Sequence, residues 1–416
     1  MDSKWNHFYK KPFQKRLDLI AEEAGLTPDQ LDLIKQQFSQ PSGQVIENYV
    51  TDFGLPQGVA VGVVVNGHSH LVPMVTEEPS VIAAASNGSR LLAAGGGIQA
   101  EVASQLTGGQ IIIKNGAFSQ LRAFVADHQA EMIEIANDSH PSILSYGGGA
   151  KRLSVRQLDS TFTSIDLMVD TGEAMGANMI NTMLEALSNW LRNQMNAEIT
   201  MAILTNYADE AVVHVSGKVP LAQLATQSMS GQVVGQRIVD ASQVAQLDFR
   251  RAATHNKGIM NGVDAATIAF GNDWRAVESA VHSYAARTGA YKGLSTWQMS
   301  DKDLIGQMDL PVPIGFVGGA NKVLPLVAIN KQIAAIHNTQ EEMALIAAVG
   351  LAQNLAALKA LVTEGIQKGH MNLQLKSLAL SNGAQDFELP QVINQLRQLK
   401  NPDSRAVKQI LKTIRR

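Results

Sequence analysis

The 416 residues leave room for two or three domains, and a composition 45% hydrophobic and 17% charged is that of a chain able to bury a large core. A net charge of −3 lacks the electrostatic footprint of a nucleic-acid binder, so small-molecule chemistry is expected. The absence of cysteine excludes structural disulfides, Cys-ligated zinc and a catalytic thiol, and is compatible with a cytoplasmic setting.

The chain begins Met1-Asp2-Ser3-Lys4-Trp5 without the apolar stretch of a signal peptide. From Pro12 to Gln37 apolar residues at helical spacing predict a helical pair, with Pro28 after Thr27 as a helix start. Gly58 to Val65, the Asn66-Gly67 turn and Leu71-Val72-Pro73 predict a hairpin. A helix follows Glu77-Glu78-Pro79-Ser80 and stops at Gly95-Gly96-Gly97. Between Ile111 and Val215, strand-like runs (Gln110 to Ile113, Ser164 to Val169, Glu198 to Leu204) alternate with helical ones (Gln120 to Ala136, Glu173 to Met195). That alternation is the α+β pattern of an inserted domain. Helix-rich sequence resumes after Val215. The apolar window Met343 to Val362 contains Gln353, Asn354 and Lys359 and reads as a buried helix rather than a membrane span. The segment after Gly369 reads as a small C-terminal flap.

Four clusters could carry chemistry, and each also has a plainer explanation. Glu77 and Glu78 at a helix start complement its dipole, yet a carboxyl beside the small and apolar Val81 to Ser86 run can have the raised pKa of a general acid. Lys257, in the Asn-Lys-Gly stretch of His255 to Gly262, reads as a loop residue, either solvated or aimed at a developing oxyanion, with Arg250-Arg251 upstream as a carboxylate clamp. Asp273 is a natural helix N-cap, and His370 near a helix C-terminus a dipole partner. Small residues from Asp170 to Asn178 lead into a helix and would let a phosphate approach its N–H groups. No G-x-G-x-x-G occurs, so the usual dinucleotide fingerprint is missing.

The same segments, in the same order, resemble the class II (bacterial-type) 3-hydroxy-3-methylglutaryl-coenzyme A reductases. The resemblance runs from Phe8-Tyr9-Lys10 and Ile46-Glu47-Asn48 through Val72-Pro73-Met74-Val75-Thr76-Glu77-Glu78-Pro79-Ser80 and Gly172-Glu173-Ala174-Met175-Gly176-Ala177-Asn178-Met179. It continues in Ala253-Thr254-His255-Asn256-Lys257-Gly258, Gly271-Asn272-Asp273-Trp274-Arg275 and Glu364 to Met371. In class I enzymes the catalytic lysine lies just after the A-M-G-x-N-M string, where this chain has Thr182; Lys257 takes that role, as in class II, and the class I membrane anchor is absent.

The resemblance implies an α+β fold. A helix-rich substrate domain (1–106 and 214–367) would carry an inserted ferredoxin-like cofactor domain (107–213) and a C-terminal flap (368–416). It implies catalytic Glu78, Lys257, Asp273 and His370, substrate contacts from Ser80, Arg251 and Asn261, and cofactor contacts from Glu173, Met175, Gly176, Asn178 and Asn206. NADPH or NADH would reduce hydroxymethylglutaryl-CoA to mevalonate and CoA, without a metal, membrane or nucleic acid. The active site would lie between the subunits of a homodimer, with a hexamer left open. Two departures stand out: Glu173 replaces the usual Asp, and His140 stands where NAD-preferring relatives carry an acid for the ribose hydroxyl, which favours NADPH. Operation in mevalonate catabolism, a cofactor-free acyl-CoA lyase or hydrolase, and a non-catalytic acyl-CoA binder are the competing readings.

Overall fold

The computed structural model describes residues 3–318, 324–363, 365, 375–399 and 401–415. The N-terminal helices are α1 (Phe13–Ala24), α2 (Pro28–Gln36) and α3 (Gln40–Val45). The expected helical pair is present, and α2 starts at a reciprocal capping box between Thr27 and Gln30. Next come the hairpin β1 (Gln57–Val65) and β2 (His68–Val75), then α4 (Ser80–Ala93) and β3 (Ile98–Val102).

The chain then builds β4 (Leu106–Lys114), α5 (Phe118–Asp138), β5 (Gly149–Gln157), β6 (Phe162–Asp170), α6 (Ala177–Met195) and β7 (Glu198–Leu204). It continues with β8 (Val212–Pro220), α7 (Leu221–Leu224), α8 (Gly231–Leu247), α9 (Phe249–Ala269), α10 (Trp274–Ala285), β9 (Ser295–Met299), β10 (Asp303–Pro311), α11 (Pro325–Ala334) and α12 (Thr339–Val362). A helix at 375–381 (α13), α14 (Leu389–Leu396) and α15 (Ser404–Ile414) end the described chain.

Two sheets organise these elements. The first has the order β2-β1-β3-β8-β10-β9, parallel only between β1 and β3. The second has the order β5-β6-β4-β7, antiparallel throughout, in the chain order β-α-β-β-α-β. The chain leaves the first sheet after Val102 and returns at Val212. Each sheet has its own apolar core, and a third core joins Leu375, Ala379, Leu389, Val392, Val407 and Ile410 in the C-terminal helices.

Three expectations need correction. The stretch expected to be helix from Glu173 begins helical structure only at Ala177, because Thr171 to Ala174 closes a turn (Ala174 N–H to Thr171 O, 3.2 Å), Val317 N–H donates to Glu173 O (2.9 Å) and Ala174 bridges Val317. The supposed Asn-Lys-Gly loop lies inside α9, where apolar residues at helical spacing outweigh the helix-breaking tendency of Gly258. Finally, β5 and the strands after Val215 were not read from the sequence; β5 is rich in Lys, Arg and Ser and only partly buried, so it lacks a continuous apolar run.

Helix α12 is long and apolar enough to cross a membrane, but it is largely buried in the first core. Asn354, a buried amide on that helix, accepts from Ser295 Oγ and Trp297 Nε1 at 2.8 Å each and lies 3.1 Å from His255 Nε2, which satisfies it. Against α4 the approach is backbone to backbone: a Cβ on Gly88 would sit 1.9 Å from Ala352 O. Gly88→Ala should therefore destabilise the protein by about 3 kcal/mol. Gly258→Ala on α9, with no heavy atom within 4 Å of its would-be Cβ, should be neutral or stabilising by up to about 0.5 kcal/mol. Urea midpoints of the two variants check the contrast.

Candidate active site

The turn between β2 and α4 presents Glu78. Its N–H donates to Thr76 Oγ1 (3.2 Å), and Ser80 Oγ donates to Glu78 Oε1 (2.9 Å). Glu77 is exposed whereas Glu78 and Ser80 are half-buried, which separates the two acids that the sequence leaves equivalent.

Helix α9 starts at Asp248, whose carboxylate accepts from Arg250 N and Arg251 N. Within the string His255-Asn256-Lys257 the environments differ sharply. His255 is buried, with Nε2 2.7 Å from Ser295 Oγ, and burial, aided by Arg251, lowers its pKa to about 4. Asn256 is fully buried and spans Lys292 O (2.8 Å) and Leu294 N (2.9 Å). Lys257 alone is exposed. At i+4 and i+7 from it stand Asn261 and Asp264, both partly accessible on the same face. Arg251 is half-buried and its Nε has no hydrogen-bond partner among the described residues, which suits a guanidinium awaiting an anion.

Asp273 is the N-cap of α10. It accepts from Arg275 N (3.0 Å) and Ala276 N (3.3 Å), and Arg275 Nε and Nη2 reach its two oxygens at 3.0 Å each. The Arg275 guanidinium, more than any other group, holds its carboxyl below the usual range. Among the described residues no hydrogen bond or ion pair joins Lys257 to Glu78 or Asp273. His370 lies outside the described residues.

The cofactor candidates gather at one edge of the second sheet. Leu106, Gly149 and Asp170 are aligned there, and Gly109 pairs with Leu204 beside them. The segments carrying His140, Glu173, Met175, Gly176, Asn178 and Asn206 all leave the sheet at that edge. Helix α6 opens with Gly176 (φ 86°) and no side-chain cap, and Asn178 in its first turn is exposed. Uncapped N–H groups at the start of a long helix fit a pyrophosphate. His140 Nδ1 lies 3.1 Å from Ser142 Oγ, and Asn206 is exposed just beyond β7. Glu173 instead faces the first unit: its Oε2 accepts from Thr339 N (2.8 Å) and Thr339 Oγ1 (2.9 Å).

Sequence reasoning missed Asp264, Glu278, Thr339 and Glu342. The string Asn338-Thr339-Gln340-Glu341 before an apolar run was a readable capping signature, whereas the pairing of Asp264 with Glu278 joins two helices and leaves no local signal. Burial and the neighbouring Glu278 push Asp264 up to about 8, against the pull of Lys257. Glu278 is held low, first by His282, whose Nε2 stands 2.6 Å from Glu278 Oε2.

A family model described as Hydroxymethylglutaryl-coenzyme A reductase matches residues 12–375. The 3-hydroxy-3-methylglutaryl-coenzyme A reductase of Archaeoglobus fulgidus is 38% identical over 401 residues, 94% of this chain and 90% of that protein. A solved 3-hydroxy-3-methylglutaryl-coenzyme A reductase from Streptococcus pneumoniae superposes with a TM-score of 0.77 at 41% identity, covering 99% of each chain. A class II reductase structure from the same organism, bound to NADPH in open conformations, gives 0.77 at 40% identity over 98% of this chain and 100% of that one. The chain belongs to the hydroxymethylglutaryl-coenzyme A reductase family. Within it, the chain is similar to the class II enzymes of bacteria and archaea, and it is an NAD(P)H-dependent oxidoreductase.

The raised Asp264 carboxyl has a measurable consequence. Unfolded, Asp264 ionises near 3.8; folded, near about 8. Across that window the folded state holds the extra proton, so this group costs stability progressively as pH rises, and the cost is complete above the folded value. Asp264→Asn should gain on the parent protein by about 2 kcal/mol between pH 5 and pH 8, after discounting for partial solvation. Urea denaturation at both pH values checks it; a pH-independent difference contradicts the raised Asp264 carboxyl.

Proposed function

We propose that this enzyme reduces the thioester of hydroxymethylglutaryl-CoA to the alcohol of mevalonate in a site built around Lys257, Glu78, Asp273 and His370. The observation that carries the reading is the environment of Lys257: its neighbours His255 and Asn256 are spent on the core, while its ammonium is left on an open helix face with Asn261 and Asp264. The fit of a dinucleotide rests on the uncapped start of α6, and the unit spanning 107–213 is taken as a ferredoxin-like cofactor domain. NADPH or NADH, when bound there, supplies a hydride to the carbonyl carbon in each of two successive reductions.

The protein's part is electrostatic and protonic. Lys257 stabilises the oxygen that becomes negative as the thioester carbonyl is reduced. His370 gives a proton to the departing CoA thiolate, a task that suits an imidazole. Glu78, half-buried and hydrogen-bonded to Ser80, protonates the oxygen of the aldehyde as it becomes mevalonate. Asp273 is assigned the orienting of Lys257 and Glu78, and must exchange its hold on Arg275 to do so. Arg251 and Asn261, with Ser80, hold the hydroxymethylglutaryl end. No metal is needed for any of these roles.

The active enzyme in this reading is a homodimer whose subunits complete the site, with a C-terminal flap (368–416) closing over it. Mevalonate formation is the direction that His140 favours, since an imidazole does not repel a 2′-phosphate as an acid would.

Lys257→Met should lower kcat/KM by on the order of a hundred- to a thousand-fold while leaving hydroxymethylglutaryl-CoA binding measurable by calorimetry. Retention of more than half the parent rate would remove Lys257 from the chemistry. Initial rates at equal cofactor concentrations should show NADPH used at least as well as NADH, and a strong preference for NADH would overturn the role given to His140.

A further inference from the structure

We propose that Thr339 and Glu342, in the first turn of α12, are positioning residues that set the spacing between the Asp273 segment and the cofactor segment Glu173–Gly176. The inference rests on the functional reading above and adds to it the device that holds its two halves in register.

The connections are continuous. Glu342 is fully buried, and Asn272, the residue before Asp273, donates from Nδ2 to Glu342 Oε1. Asn272 Oδ1 accepts from Gly315 N (3.0 Å). Gly315 in turn lies directly on the cofactor segment: a Cβ there would come within 2.3 Å of Met175 N and 2.6 Å of Ala174 C, so only glycine permits the approach. The next residue, Phe316, donates from N to Thr339 Oγ1 (3.1 Å), and Thr339 passes its own hydroxyl and N–H to Glu173 Oε2. Lys331 closes the set, 3.0 Å from Glu342 Oε2 and donating to Phe316 O at 2.7 Å.

Helix capping accounts for only one of these contacts, the Thr339 N–H that Glu173 accepts. The α12 N-cap is Asn338, which accepts from Glu341 N (2.8 Å), and Glu341 bonds back to Asn338 Nδ2 (3.0 Å) and His337 N (2.8 Å). That cap takes the Glu341 N–H and Glu173 takes the Thr339 N–H, whereas the Thr339 hydroxyl and the Glu342 carboxylate serve no capping bond. The carboxylates of Glu173 and Glu342 tie α12 to the segment between β6 and α6 and to the turn between α9 and α10. A buried polar network of this kind fixes geometry more than it adds stability, and hydride transfer is sensitive to displacements of about 1 Å. Glu173 in place of the usual Asp has the added methylene available for this reach to Thr339.

The test uses the full-length enzyme with Thr339→Val, Thr339→Ser, Glu342→Gln and, as the marker for the underlying reading, Asp273→Asn. Steady-state kinetics with hydroxymethylglutaryl-CoA and NADPH are measured beside thermal midpoints. Thr339→Val and Glu342→Gln are expected to lower kcat about ten-fold, with the KM for hydroxymethylglutaryl-CoA changed less than about two-fold. Thr339→Ser, which keeps the hydroxyl, is expected to restore kcat to within about two-fold of the parent. Parental kcat in Thr339→Val and Glu342→Gln with only lowered midpoints overturns the proposal, as does a Ser variant as slow as the Val variant. If Glu342→Gln does not fold, Thr339→Val decides, because it preserves side-chain volume and the Asn338 cap. Inactive Asp273→Asn with parental kcat in the others sinks this inference alone, whereas fully active Asp273→Asn sinks the reading beneath it as well.

Discussion

The burial of α12 is the constraint on which the architecture depends. Its body is apolar on nearly every face, so it must be covered all round, and α4, α8, α9 and the first sheet do the covering. Close packing then leaves little freedom: Gly88 meets the helix backbone, and Gly262 of α9 lies against Val349 and Gln353. Once α12 is fixed, α9 is fixed with its outward face turned to solvent, and Lys257 is on that face. The N-terminus of α12 emerges where the second sheet is attached, and Glu173 meets it there. Core packing thereby determines where Lys257 stands relative to the Glu173 segment.

Much of this was legible in the sequence because it is local. The Asn66-Gly67 hairpin, the capped α2, the Gly95-Gly96-Gly97 stop and the buried α12 each announce themselves within a dozen residues. The site residues were found differently. Their strings resemble those of a known family, and local physics alone left each of them with a plain explanation as a cap or a solvated residue. Asp273 illustrates both at once, since it is the N-cap that pattern reasoning expects.

What escaped the sequence is long-range or cancelled locally. Lys257 was read as a loop residue because glycine and asparagine flank it, yet tertiary burial of Ile259, Met260 and Val263 makes the segment helical. His255 looks like a functional histidine until Ser295 and Asn354, distant in the chain, are seen to satisfy it. The bonds of Glu342 to Asn272 and of Glu173 to Thr339 span 70 and 166 residues, and no window of sequence contains both partners.

The chemistry assigned here needs neither a cysteine nor a metal from the protein, because the substrate brings its own sulfur and the cofactor its own reducing power. It does need a fixed cation, a proton donor and a dinucleotide edge brought to one carbonyl. The most direct measurement counts NADPH oxidised, CoA thiol released and mevalonate formed in a single reaction of the purified protein with hydroxymethylglutaryl-CoA. Two NADPH consumed for each thiol and each mevalonate is the expected result. Thiol release with no oxidation of NADPH would contradict it and make the protein a hydrolase of the same ester.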